Sequence, residues 1–183
     1  LGLNTNISAI SGDKVNISLA TNIASGVIDL SAGTITLNAA GGAISFTSDS
    51  MSLAGASNSN VIQSVGGTLN IAPQSTGTTI GIGTGAGTLS LPNILWNGST
   101  TGTAPTASNI TNAIFKPGFS MITVGNATQT GAIAVNAVVG DTFVITSPLT
   151  IQLSTAAAYR LNLYGNIKDA YTVLGNTYAA APF

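Results

Sequence analysis

Apolar residues alternate with small polar ones along almost the whole chain. Blocks such as VNISL from Val15, GTITL from Gly33, GAISF from Gly42, GTLNI from Gly67, GTLSL from Gly87, GAIAV from Gly131 and LTIQL from Leu149 repeat one form. A period of two places successive side chains on opposite faces of an extended segment, so each block predicts a short strand and the chain as a whole is all-β. Every second block returns after 16 to 20 residues, as in Ile17 to Ile35, Ile44 to Ile62, Met51 to Leu69 and Ile62 to Ile80. That length fits one coil of a parallel β-solenoid, in which each turn buries its apolar edge by stacking on the next. The expectation is that Ile44, Ile62 and Ile80 form one inward ladder, with the intervening Ser and Thr in solvent. The alternative is an antiparallel β-sandwich, which also has short, regularly spaced strands. Against it, Asn97-Gly98 is the one clear hairpin dipeptide.

The alternation fails between Leu91 and Phe119, which divides the chain into solenoid coils over 1–91, a loop excursion over 92–118, and coils with a terminal segment over 119–183. The excursion holds the only Trp and a polar run from Asn97 to Ser108. Ser108 is the expected N-cap of a short helical turn through Ile110 and Ile114, stopped before Pro117-Gly118. Trp96, Asn97 and Phe115 are candidate recognition residues, since a solenoid carries function on such loops. An equal reading makes the excursion a lid that covers an apolar patch with Trp96 and Phe115.

Composition narrows the chemistry. Only 5% of the 183 residues are charged, and there is no Glu, His or Cys. Four scattered cations neutralise few phosphates, so no nucleic acid is expected as a partner. The usual soft metal sites lack ligands, and the isolated Asp residues do not have the spacing of a calcium loop. No apolar run approaches the roughly 20 residues that span a bilayer, so membrane insertion is not expected. Gly81-Ile82-Gly83-Thr84-Gly85-Ala86 matches a variant of the dinucleotide fingerprint, yet a further strand pattern follows it where a helix is required. It reads as a turn, and no cofactor is implied. Glycoside hydrolysis needs two carboxylates roughly 5 to 9.5 Å apart. Asp29 and Asp49 are the available pair, but each lies among small polar residues and reads as a solvated acid at a corner. The chain is therefore not expected to be an enzyme. A Thr-rich ice-binding face is disfavoured because the Thr34, Thr36 spacing does not recur. Sequons at Asn6, Asn16, Asn97, Asn109 and Asn126 follow from a composition rich in Asn, Ser and Thr.

GTLNIAPQSTGTTIGIGTGAGTLSLP from Gly67, followed by GFSMITVGNATQTGAIAV from Gly118, resembles a unit of large secreted bacterial exoproteins of the filamentous haemagglutinin type. GTITLNAAGGAISFTSDSMSLAG from Gly33 resembles the coils that precede that unit, and the stretch Trp96-Asn97-Gly98-Ser99 departs from it. The resemblance implies a right-handed parallel β-helix, export to the medium or the bacterial cell surface, and work as an adhesive or structural shaft. It makes host or neighbouring-cell glycans the expected ligands. A shaft segment also needs covered ends, and Leu1, Leu3, Tyr178 and Phe183 are apolar where polar caps are usual. Those four residues are the expected assembly ends of an end-to-end self-association.

Overall fold

The computed structural model describes residues 7–8, 14–101, 105–136, 141–154, 161–163 and 166–169. The first strands in chain order are β1 (Ile7–Ser8), β2 (Ile17–Ala20), β3 (Val27–Asp29), β4 (Thr36–Asn38), β5 (Ala43–Thr47) and β6 (Ser50–Ser52). There follow β7 (Val61–Gln63), β8 (Thr68–Ala72), β9 (Ile80–Gly83) and β10 (Leu89–Pro92), then the short helices α1 (Asn93–Asn97) and α2 (Ala107–Thr111). The remaining strands are β11 (Met121–Gly125), β12 (Ile133–Val135), β13 (Thr142–Ile145), β14 (Leu149–Gln152), β15 (Leu161–Leu163) and β16 (Asn166–Asp169). The chain is thus mostly β, as the alternation predicts.

Every strand pairing among the described residues is parallel. This sets aside the antiparallel sandwich. The largest sheet runs β14-β11-β8-β5-β2, a second runs β10-β9-β12-β15, a third β1-β4-β7, and β3-β6 and β13-β16 form two-stranded sheets. Parallel neighbours need a long connection. The chain supplies it by visiting strands of other sheets before returning, so that β3 and β4 lie in sequence between the paired β2 and β5.

Register shows that the apolar columns differ from the expected ladder. Ile44 stands opposite Ile17 on one side and Leu69 on the other. Leu69 is followed by Ile122 and Ile122 by Leu149. Ile62 belongs to a different column, between Leu37 and Phe115, and Ile80 to a third, with Ile133. The return is therefore 25 to 27 residues between neighbours such as Ile17, Ile44 and Leu69, not 16 to 20. The reason is that three alternating blocks, not two, separate equivalent positions, and the blocks are too alike for spacing alone to count them. Ile44, Leu69, Ile62, Ile80 and Ile133 are all fully buried, each contributing about 1.5–3 kcal/mol through removal from water.

The glycine run of residues 81 to 87 has a structural cause. β9 and β10 pair in parallel with Ile80 opposite Leu89 although only five residues connect them. The connection folds flat over the strand it leaves. A Cβ on Gly81 would collide with the Gly85 carbonyl and the Gly87 amide, and a Cβ on Gly85 with the Ala134 carbonyl. Backbone of the same chain fills the space that a nucleotide-binding turn leaves for a pyrophosphate.

Not all the small polar residues between the apolar ones face solvent, as the alternation implies. Asn60 is 2% exposed. Its Oδ1 accepts from the Ile35 amide at 2.7 Å, and its Nδ2 donates to the Leu30 and Leu53 carbonyls at 3.0 and 2.9 Å. Ser64 and Ser48 are likewise buried, donating to the Gly42 and Gly26 carbonyls at 2.7 and 2.6 Å. These side chains satisfy backbone groups between strands, where ladder bonds stop.

Candidate functional site

The excursion is a compact piece of structure rather than an open loop. β10 leads directly into α1, whose Leu95 and Trp96 are buried in the same core as the strand columns. The Trp96 ring meets Phe115 edge-on at a centroid distance of 5.1 Å and Phe143 at 5.4 Å. Its Nε1 donates to the Leu91 carbonyl at 3.0 Å, so the indole loses no polar bond on burial. Phe115 extends the β4-β7 column: the Ile62 amide donates to the Ile114 carbonyl at 2.8 Å, and the Lys116 amide to the Ile62 carbonyl at 2.9 Å.

Trp96, Asn97 and Phe115, singled out as recognition residues, are therefore all inside the protein, at 2%, 0% and 1% exposure. Two of them are brought together, and they close the core as the lid reading has it. Asn97 accepts from the Ser99 amide at 2.9 Å, shaping the turn that leaves α1. The second helix is capped two residues earlier than Ser108. Thr106 is the N-cap, its Oγ1 accepting from the Asn109 amide at 3.2 Å while the Asn109 Oδ1 accepts from the Thr106 amide at 2.9 Å. This reciprocal pairing satisfies two orphan donors, whereas Ser108 offers no such return bond. Leu1, Leu3, Tyr178 and Phe183 lie outside the described residues.

The two candidate carboxylates have separate roles. Asp29 stands opposite Ser52 in the β3-β6 pair, three residues along from Asp49. It is exposed, and the Ser31 hydroxyl and then the Ser31 amide, donating at 2.5 and 2.9 Å, lower its pKa. Asp49 is not a solvated acid. It is 5% exposed and accepts from the amides of Ser25 and Ser75 at 3.0 and 2.7 Å and from the hydroxyls of Ser75 and Thr78 at 2.6 and 2.8 Å. Burial pushes this carboxyl up, but the bonds from Ser75, Ser25 and Thr78 outweigh it and hold it well below the usual carboxylate range. Asp141 is engaged by the Thr84 hydroxyl.

Between the excursion and the turn at residues 57–61 lies a groove of about 720 Å³. Its walls are chiefly amides and hydroxyls, among them Asn58, Ser59, Ser99, Thr100 and Asn112, with Val61 and Ile94 beside them, and among the described residues the only charged side chain lining it is Lys116. The turn is held by two consecutive left-handed residues, Ser57 and Asn58, with φ of 52° and 57°. The opposite wall depends on Gly98, where a Cβ would strike the Asn109 carbonyl. Sequence reasoning missed this groove because its walls come from segments some 40 residues apart. The available signal was Lys116, one of only four cations in the chain.

No group of three or more acidic, His or Cys side chains that could hold a metal occurs among the described residues, nor does any helix long and apolar enough to cross a membrane. Comparison with known proteins adds no relative: no family model, curated protein or solved structure matches this chain.

Proposed function

We propose that this chain is a length of right-handed parallel β-helix that serves as an adhesive, structural shaft of a secreted or surface-exposed bacterial exoprotein, without enzymatic activity. The observation that carries the reading is the in-register column Ile17, Ile44, Leu69, Ile122 and Leu149 across five parallel strands. Each layer presents the next with the same apolar row and the same row of backbone donors and acceptors, which is the physical basis of a stacking shaft. Export, adhesion and glycan contact come from the resemblance to haemagglutinin-type exoproteins. The non-enzymatic part is supported by Asp49, whose oxygens are fully engaged in tying corners together.

End-to-end association belongs to the same reading. Among the described residues the column Ile80, Ile133 and Leu161 ends at the edge strand β15, where Leu161 and Leu163 are 42% and 49% exposed. A further layer of strand, from this chain or a second copy, would cover them. Sedimentation velocity over a wide concentration range tests the assembly, and retention of the labelled chain on glycan-coated surfaces tests the adhesion. A mass that grows with concentration and retention above an uncoated surface are the expected results. A monomer throughout overturns the assembly, and equal retention on bare surface overturns the adhesion.

A further inference from the structure

We propose that the groove between the 57–61 turn and the excursion binds a saccharide bearing a carboxylate, with Lys116 as the anchor for the negative charge. The inference rests on the glycan-contact part of the reading above and adds the site and the chemical class of sugar.

The volume of about 720 Å³ lies within the range of small-ligand sites. Such sites are mostly apolar, and this one is not. Serine, threonine and asparagine side chains supply both donors and acceptors, which suits a ligand covered in hydroxyls, while Val61 and Ile94 are the only aliphatic side chains among the described residues that line it. Among the described residues no aromatic side chain lines the groove to stack on a base, and one cation does not match the charge of a nucleoside di- or triphosphate.

Lys116 is placed for a single anion. Its Nζ donates to the Thr111 carbonyl at 3.0 Å, which orients the ammonium and leaves two of its three donors uncommitted. Among the described residues no carboxylate lines the groove, and burial lowers the lysine's pKa. A bound carboxylate supplies the missing counter-charge. The walls are preorganised: Thr106 and Asn109 lock α2, and the Lys116 amide is bonded to the Ile62 carbonyl at 2.9 Å. Binding therefore requires little ordering of the protein.

The test is calorimetric titration of the whole chain with tetragalacturonate, a sulfated tetrasaccharide and neutral maltotetraose. Tetragalacturonate is expected to bind best. Lys116→Gln weakens it by about tenfold or more, the order expected for loss of one charge-assisted bond, and Lys116→Arg retains it. Asn112→Asp, at an exposed position on the rim, weakens it comparably without changing the melting temperature, which separates charge from folding. The proposal is overturned by no heat with tetragalacturonate at about 10 mM, by equal binding of the neutral sugar, by preference for the sulfated one, or by indifference to Lys116→Gln and Asn112→Asp. Retention on glycan-coated surfaces is read separately from these titrations, so a chain that is retained there but gives no heat with tetragalacturonate overturns the groove alone.

Discussion

Ser75 holds both oxygens of Asp49, its amide donating to Oδ1 at 2.7 Å and its hydroxyl to Oδ2 at 2.6 Å. The two residues are 26 apart in sequence, one return of the chain. With Ser25 donating at 3.0 Å, a single buried carboxylate ties three segments of the chain together.

Stability should therefore depend on acid through Asp49. A folded pKa held below the unfolded value contributes stability that is present above about pH 4 and is lost as pH falls through the lower, folded value. Asp49→Asn is expected to cost about 2 kcal/mol or more at pH 7, because an amide nitrogen would face donors that now meet an oxygen. Thermal melts from pH 7 to pH 2 check this: the native chain loses stability below pH 4 more steeply than the variant. Parallel curves would remove Asp49 as the cause.

The columns make a second prediction. Ile62 is fully buried between Leu37 and Phe115. Ile62→Asp places a carboxylate there without a partner, at a cost of several kcal/mol, and Leu69→Ala leaves a cavity costing about 2–5 kcal/mol. Urea titration reads both, and a midpoint like that of the native chain in either variant contradicts the assigned register.

Two glycines should respond in opposite ways to the same methyl group. Gly81→Ala drives a Cβ into the Gly85 carbonyl and Gly87 amide, both backbone, and overpacking of this kind costs about 1–3 kcal/mol or more. Gly33 has nothing within 4 Å of that position and no left-handed backbone angle. Gly33→Ala should change stability by less than about 1 kcal/mol. Equal melting temperatures for the two variants would contradict the close approach of β9 and its connection.

Trp96 provides an optical check on the excursion. A single indole, 2% exposed and edge-on to two phenyl rings, should emit at short wavelength and resist quenching by iodide. Trp96→Ala should cost about 3–5 kcal/mol. Emission already at the wavelength of the unfolded chain would mean that the side chain lies outside the core.

The helix cap is a smaller and local test. Thr106→Ala removes the acceptor for the Asn109 amide and should cost about 1 kcal/mol, read as a drop in melting temperature. Ser108→Ala, at the cap expected from sequence, should cost less.

The sequence by itself determined the all-β class, because period-two alternation leaves each strand one apolar face, and where that alternation stops at Leu91 the short helices α1 and α2 follow. It read Gly81 to Ala86 as a turn because no helix pattern follows, but Gly81 to Gly83 complete β9 and only the residues from Thr84 on form the connection. Only the tertiary structure decided which blocks are neighbours. Ile44 suits Ile62 as well as it suits Leu69 chemically, and the choice between them depends on how many sides the chain visits before it returns. The same holds for burial. Asp49, Asn60 and Ser64 share the composition of residues that face solvent, and they lie inside because corner backbone groups from distant segments converge on them. The groove has the same origin: Lys116 and the 57–61 turn share no local pattern, and the bridge from Ile62 to Phe115 sets them side by side.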